Sequence, residues 1–425
     1  MHPSHSPSLQ LSDDHAPALP APVITEGLAG ACPADTGDLD PEMRESFAFI
    51  ESIVASVREE MPSASDIQFV GGSVVWIHAD GEEHRTSTVV TNEDILMWSK
   101  IFGRIRNGKY GDEQLRDGIE GTVENAFDLA GVRLRAAFRR QYGGYALNVR
   151  ILLQTPPGIT HRMFDKNPVP EPLIKLVEDS SAGIILVTGP TGSGKSFLLA
   201  ALLDNVNEQQ RRHIYTLEDP VEFVHQSKKS LITQREIGTH TNSFVQGIMT
   251  AKRSKPGIIL LGELRDKETM RAALESAGEG HLVLATTHAS SVAETVATFV
   301  GHFPADEQNQ VAVRVAQTFL AVISQRLVAG TDGKMVAVRE MMIADNTLQS
   351  ILKNPTDADK LEKQLLSSAS RDKPGVFSRD DDLIKLCVQG LITPDVAIQY
   401  CHQPGEVREK LRRAKVAGLP AAPVV

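Results

Sequence analysis

The run Gly189-Pro190-Thr191-Gly192-Ser193-Gly194-Lys195-Ser196 constrains this chain more than any other stretch. It fits the pattern G-x-x-x-x-G-K-[ST]. Its three glycines permit a tight turn and let backbone N–H groups approach phosphate oxygens closely. A glycine-rich turn can match such a pattern by accident, so the flanks matter. The apolar run Ile184, Ile185, Leu186 and Val187 leads in, and Phe197, Leu198, Leu199, Ala200, Ala201, Leu202 and Leu203 lead out. A buried strand entering and a helix leaving is the setting in which a phosphate loop works.

The chemistry expected of such a loop assigns roles to its neighbours. Lys195 reaches the β- and γ-phosphates of ATP, and the Ser196 hydroxyl ligates Mg²⁺. Transfer of a phosphoryl group to water also needs a carboxylate to orient or deprotonate that water, and a group on the metal side. The apolar run at 258–261 ends in Gly262-Glu263, with Gly where Asp is normally expected, so Glu263 alone must serve the metal, through water. Glu218-Asp219-Pro220-Val221-Glu222 follows another strand, at 213–217. Acids at the C-terminal ends of neighbouring parallel strands point into the ligand crevice, so Glu222 and Glu263 can both face the γ-phosphate. Any one of them could instead be a solvated loop charge. His281 and His288 bracket the strand at 282–286, which suggests γ-phosphate sensing or a subunit contact; with no Cys nearby they do not read as a metal site.

Around the loop, strands at 184–188, 213–217, 258–261 and 282–286 alternate with helices at 195–208, 243–252, 267–277 and 292–300. That alternation implies an α/β fold with a parallel sheet. A weak strand pair near 324–343 interrupts a helical C-terminal region. Upstream, 42–60 and 92–105 carry apolar residues at helical spacing. Ile67 to Val70, Ser73 to His78, 132–138 and 145–152 read as strands, making a small α+β domain. Between the two regions, Pro156, Pro157, Pro168, Pro170 and Pro172 favour an extended path. The expected division is a disordered tail at 1–40, an α+β domain at 41–155, a linker at 156–171, an ATPase core at 172–355 and C-terminal helices at 356–425.

Charge narrows the function. The net charge is −10 over 425 residues, but residues 1–40 alone carry six acids and no Lys or Arg. The tail also holds six prolines and too few apolar residues to offset ordering entropy. The rest is close to neutral, which argues against binding nucleic acid through bulk positive charge. No apolar run approaches the roughly 20 residues of a membrane helix, and the N-terminus does not read as a signal peptide. Cys32, Cys387 and Cys401 form no C-x-x-C pair, so the chain reads as a reduced, cytosolic protein without a cysteine-based zinc site.

Taken together, four segments resemble the Walker A, Asp box, Walker B and His box of the type II/type IV secretion ATPases. They are the phosphate loop, the stretch from Glu218 to Phe223, Leu261-Gly262-Glu263-Leu264-Arg265-Asp266, and Gly280-His281 with Thr287-His288. The PilT branch, the type IV pilus retraction motors, is the most similar. Ser63-Ala64-Ser65-Asp66-Ile67, Gln234-Arg235-Glu236, Ile323-Ser324-Gln325-Arg326-Leu327 and Gly390-Leu391-Ile392-Thr393-Pro394 extend the likeness, which covers roughly 45–415. The resemblance implies a PAS-like N-terminal domain, a RecA-like ATPase domain and a homo-hexameric ring with ATP between the domains. It casts Glu222 as the catalytic glutamate, Glu263 as the Walker B acid and His288 as a further catalytic group. It also brings Arg133, Arg135 and Arg150 toward the phosphates. The implied work is to drive a pilus, type IV secretion or conjugation machine from the cytoplasmic face of the inner membrane, through a membrane platform protein.

Three departures accompany the likeness. The four-cysteine zinc insertion of the assembly and type II branches is missing. The family's "AIRNLIRE" helix reads Asn346-Thr347-Leu348-Gln349-Ser350-Ile351-Leu352-Lys353, and its acidic "DPD" reads Lys255-Pro256-Gly257. The rival readings are a nucleic-acid translocase of the same ring class and a nucleotide-gated scaffold. The lack of an aromatic-plus-basic stripe weighs against the first, and retention of Glu222, Glu263, His281 and His288 against the second.

Overall fold

The computed structural model describes residues 39–79, 82–105, 122–152, 155–353, 363 and 374–416. The tail expected at 1–40 lies outside the described residues except for Leu39 and Asp40. The chain forms two compact units, Met1–Gln154 and Thr155–Val425.

In the first unit, helix α1 (Pro41–Glu60) starts where the Asp40 side chain accepts a hydrogen bond from Met43 N, with Pro41 in the first turn. Strands β1 (Ala64–Val70), β2 (Ser73–Ala79) and β3 (Glu82–Val90) precede helix α2 (Asn92–Ile105). Strands β4 (Thr122–Leu129), β5 (Val132–Gln141) and β6 (Gly144–Leu152) follow. They make one antiparallel six-stranded sheet, β3-β2-β1-β6-β5-β4, a PAS-like α+β arrangement. Its core joins Met43, Ile50 and Val54 of α1 to Trp98 and Phe102 of α2 and to Phe69, Leu134 and Phe138 of the sheet. Trp98 is fully buried and its indole N–H donates to Ser46 O at 2.9 Å, satisfying the polar edge that burial would otherwise strand.

Strand β5 alternates Val132, Leu134, Ala136 and Phe138 inward with Arg133 and Arg135 on the other face. The register pairs Arg135 with Arg150, and Arg150 with Asp66 on β1. Two-residue periodicity therefore gathers Arg133, Arg135 and Arg150 on the sheet face away from the core.

The second unit is built on a seven-stranded sheet in the order β13-β12-β7-β11-β10-β8-β9. These strands are β7 (Gly183–Thr188), β8 (His213–Glu218), β9 (Leu231–Glu236), β10 (Ile258–Leu261), β11 (Leu282–Thr286), β12 (Phe319–Ala329) and β13 (Met335–Ile343). All neighbours run parallel except β12 and β13. Strands β7, β10 and β11 are buried along their whole length because helices cover both faces. Helix α3 (Glu171–Asp179) precedes β7, and α4 (Lys195–Gln209) leaves the phosphate loop. Helices α5 (Phe244–Arg253), α6 (Lys267–Gly278), α7 (Val292–Gly301) and α8 (Ala305–Thr318) complete the layers. Beyond α9 (Asn346–Leu352), helices α10 (Arg379–Val388), α11 (Pro394–Tyr400) and α12 (Pro404–Val416) pack Leu383, Leu386, Ile392 and Val407 against Val328, Val336 and Val338.

Several details differ from the sequence expectation. Strand β9 was not anticipated; its mixed sequence LITQRE lacks an apolar run, and it forms because it closes the sheet edge beside β8. The strand pair expected as weak is long, and β12 hydrogen-bonds directly to β7, next to the phosphate loop. The stretch 156–171 is not free-standing. Phe164 and Val169 enter the same core as Ile185 and Ile323, and Asn167 donates to Ala337 O and the Asp382 carboxylate at 2.9 and 2.8 Å. Its prolines shape a segment packed on the second unit.

Candidate nucleotide site

Strand β7 delivers the phosphate loop to the C-terminal edge of the sheet, between β11 and β12. Gly189, Gly192 and Gly194 take φ of 141°, 77° and 82°, backbone that L side chains rarely adopt. At Gly189 space is limiting too, since a Cβ there would meet Gln325 O at 2.1 Å. A Cβ at Gly192 would meet nothing within 4 Å, so that part of the loop faces open space. Pro190 and Thr191 form the exposed tip. The Ser193 hydroxyl is buried and has no hydrogen-bond partner. Left-handed glycines, an open concavity and the start of α4 directly behind it fit the triphosphate of a nucleotide.

Lys195 is buried, and its Nζ donates to Gly189 O at 2.8 Å and Pro190 O at 3.1 Å. Burial lowers its pKa, while Glu263 and Glu222 pull it back up. Both carboxylates singled out from the sequence therefore act on the same ammonium. The strand order explains how: β8 and β10 are parallel neighbours with Leu217 opposite Leu261, so the segments carrying Glu222 and Glu263 leave the same edge side by side.

Glu263 holds two donors. His288 Nε2 lies 2.9 Å from its Oε1, and Arg265 Nη2 lies 2.7 Å from its Oε2. Burial alone raises its pKa; Arg265, His288 and Lys195 outweigh that and leave the carboxyl below its ordinary range. Gly262 packs closely on β8: a Cβ there would come 3.2 Å from Glu218 Cα, so a larger residue would need a small shift of that strand. The segments around Glu263 and His288 are tied together, since Leu264 N donates to Thr286 O at 2.9 Å and Thr286 Oγ1 donates to Gly262 O at 2.5 Å.

Strand β9 fixes the stretch that carries Glu222, which sequence reasoning missed. Gln234 donates to Phe223 O at 2.9 Å and accepts from His225 N at 2.7 Å, while the buried Glu236 carboxylate accepts from Val221 N at 3.2 Å. Glu222 thus sits between two tethered neighbours. Nearby, Glu218 is half-buried at the end of β8; its desolvated carboxyl is pushed up to about 7, against hydrogen bonds from Thr216 and Gln234. A second carboxyl that is protonatable near neutrality therefore lies beside Glu222.

The two histidines separate. His288 is at the phosphate edge, but His281 is at the opposite edge, where its Nδ1 lies 2.7 Å from Pro256 O. A strand spans the sheet, so residues at its two ends cannot share one site; γ-phosphate sensing by His281 within its own chain is thereby ruled out. Arg133 pairs with Asp128 at 3.3 Å and Arg150 with Asp66 at 2.9 Å, both within the first unit.

Among the described residues no group of three or more His, Cys, Asp or Glu side chains is placed to hold a metal ion. Mg²⁺ takes one or two protein oxygens and relies on phosphates and water for the rest. The Ser196 hydroxyl at the start of α4 and the Glu263 carboxylate are oxygens of the kind it would take. Among the described residues no helix is long and apolar enough to cross a membrane.

A parallel sheet with a phosphate loop, two strand-end carboxylates and a His–Glu pair defines a P-loop ATPase of the RecA-like kind. The family model "Type II/IV secretion system protein" matches residues 132–367. The chain is 41% identical over 345 residues to the type IV pilus retraction ATPase of Pseudomonas aeruginosa, covering 80% of this chain and 95% of that one. It is 42% identical over 226 residues to a twitching motility protein of Neisseria gonorrhoeae, spanning 53% of this chain and 59% of that relative. Among solved structures, the pilus retraction motor PilT with bound ADP superposes with a TM-score of 0.71 at 31% identity, covering 84% of this chain and 99% of that chain. The Legionella pneumophila ATPase DotB gives 0.64 at 29% identity, covering 83% and 94%. The chain belongs to the type II/IV secretion system ATPase family, the motor ATPases of pilus and secretion systems.

Proposed function

We propose that this chain is a Mg²⁺-dependent, homo-hexameric motor that drives a type IV pilus, in the manner of a retraction ATPase, or a related type IV secretion or conjugation machine. The observation that carries the site assignment is geometric: the buried Lys195 ammonium is held on Gly189 O and Pro190 O at the sheet edge where β8 and β10, with Leu217 opposite Leu261, release the segments bearing Glu222 and Glu263. Backbone N–H groups from Gly192 to Ser196 and the Lys195 ammonium hold the phosphates. The Ser196 hydroxyl and, through water, Glu263 hold the metal, which would neutralise charge developing on the phosphate oxygens. Glu222 accepts the proton of the attacking water as its oxygen bonds to the γ-phosphorus and the bond to ADP breaks. His288 keeps the Glu263 carboxylate oriented.

In this reading Arg133 and Arg150 contact phosphate, and the ring completes each site. The motor works at the cytoplasmic face of the inner membrane on a platform protein, without direct contact to nucleic acid. The domain division 41–155, 156–171, 172–355 and 356–425 belongs to the same proposal, with the middle stretch travelling with the ATPase core. The test is Mg²⁺-dependent ATP hydrolysis by the purified chain at a fixed concentration, set beside its assembly state by light scattering. Hydrolysis confined to hexamers supports the reading. Full hydrolysis by monomers, or stimulation by DNA at low salt, overturns it.

A further inference from the structure

Strand β12 touches the phosphate loop at both ends through one residue. The backbone carbonyl of Gln325 abuts Gly189, and its side-chain Nε2 donates to Ser193 O at 2.8 Å and to Gly194 O at 3.1 Å. Those two carbonyls belong to the peptide planes that carry the N–H groups of Gly194 and Lys195. In a trans peptide the C=O and N–H point in opposite directions. Gly194 O also accepts from Leu198 N at 3.0 Å in the first turn of α4, so that plane is set by helix and amide together, while drawing the Ser193 carbonyl toward Gln325 turns the Gly194 N–H away from it, toward the open side of the loop where phosphate oxygens would lie.

A primary amide can face either way, so something must fix which end meets the loop. The two loop carbonyls, which only accept, and Arg339 on β13, which only donates, do so from opposite ends of the amide. Arg339 Nε donates to Gln325 Oε1 at 2.8 Å, and a guanidinium has no acceptor that could tolerate the flipped amide. Arg339 is 1% exposed. Its Nη1 donates to Asn167 O at 2.8 Å and Pro168 O at 2.9 Å, and its backbone N donates to Asp382 Oδ2 at 2.8 Å. Its guanidinium carbon lies 5.8 Å from the centre of the Phe164 ring. The orienting group is thus itself immobilised by the 164–168 segment and by helix α10.

We infer that Gln325 and Arg339 form a positioning pair for nucleotide binding: Arg339 orients the Gln325 amide, and the amide aims the phosphate-loop N–H groups at the nucleotide's phosphates. Neither residue touches the reacting atoms. The inference rests on the nucleotide site proposed above and adds two residues that act from outside the loop, together with the order in which they act.

The test is the affinity of the full-length chain for a fluorescent ADP analogue, read with thermal stability in the same samples. Q325M keeps the side-chain volume but removes the amide; ADP should bind about tenfold more weakly, the cost of one mispositioned set of hydrogen bonds. Q325E offers Arg339 an ion pair but sets a carboxylate oxygen against two carbonyls; stability should hold while affinity falls further than in Q325M. R339M should weaken ADP binding in the parent chain and add nothing in the Q325M background, since an orienting residue has no role once the amide is gone. Should R339M fail to fold, the Q325M and Q325E pair decides alone. Parent-like ADP affinity in Q325M overturns the inference, as does independent additivity of R339M and Q325M. A parent chain that binds no ADP, and is unchanged by K195A, overturns the nucleotide reading instead.

Discussion

His288 Nε2 lies 2.9 Å from Glu263 Oε1 while Arg265 claims the other carboxylate oxygen, so one acid is held by donors on both sides. Because Arg265 and His288 keep Glu263 ionised below the ordinary carboxylate range, the acid limb of the ATPase pH profile depends on them. We expect Arg265→Ala to move that limb to higher pH, since the carboxyl then protonates earlier as pH falls. An unmoved limb in a kcat–pH series would detach Glu263 ionisation from turnover.

Lys195→Ala removes a buried ammonium whose partners are two loop carbonyls. We expect hydrolysis to fall on the order of 10²–10³-fold or more, with the fold retained, because a positioned charge stabilises the transferring phosphoryl group. Near-parent turnover by a folded variant would take the phosphate loop out of the mechanism.

Glu222→Gln keeps shape and tethering but removes the proton acceptor, so ATP should bind and persist, with turnover reduced by about 10²-fold or more. Glu263→Gln should instead raise the Mg²⁺ concentration needed for half-maximal rate. If Glu263→Gln trapped ATP and Glu222→Gln turned over normally, the two roles would have to be exchanged.

Two desolvated groups make opposing demands on pH-dependent stability. His225 is pushed down to about 4 by burial, so its contribution is present above its unfolded value near 6.5 and is lost as pH falls toward 4. Glu218 is pushed up to about 7, so its contribution is present below its unfolded value near 4.5 and is lost as pH rises through 7. Between about 4.5 and 6.5 the two slopes oppose each other. Glu218→Gln should leave the His225 slope alone, and the melting temperature should climb more steeply with pH in that window. An unchanged slope would mean that Glu218 does not titrate there.

Ring assembly predicts a concentration dependence. If Arg133 and Arg150 complete a site in the ring, ATPase activity per chain should fall on dilution. Arg150→Ala should lower turnover without loss of the core, since Arg150 lies on the sheet face away from Trp98 and Phe138. Constant specific activity through the dilution that yields monomers would leave a P-loop hydrolase without a ring.

The site's acids were legible because each belongs to a short local pattern. Glu263 follows the apolar run at 258–261 and Glu222 the strand pattern at 213–217, and parallel neighbours must release their chains at one edge. The loop's glycines were legible for a similar reason, as left-handed backbone at Gly192 and Gly194 needs them wherever the fold places the loop. The same local logic put His281 and His288 at the two ends of one strand but read both toward one role; only His288, at the C-terminal end, lies beside Glu263.

The sequence by itself determined the α/β class, the phosphate loop and the strand ends that carry Lys195, Glu222 and Glu263 to one edge of the sheet, because strand-loop-helix grammar is written in consecutive residues. Only the tertiary structure decided what holds those groups in place. Gln325 reaches Ser193 across 132 residues of chain, and Arg339 reaches Asn167 across 172. Gln234 and Glu236 secure the Glu222 segment from a strand whose own sequence hardly reads as one. A buried amide or guanidinium takes its meaning from the carbonyls opposite it, and sheet order, not sequence spacing, decides which carbonyls those are.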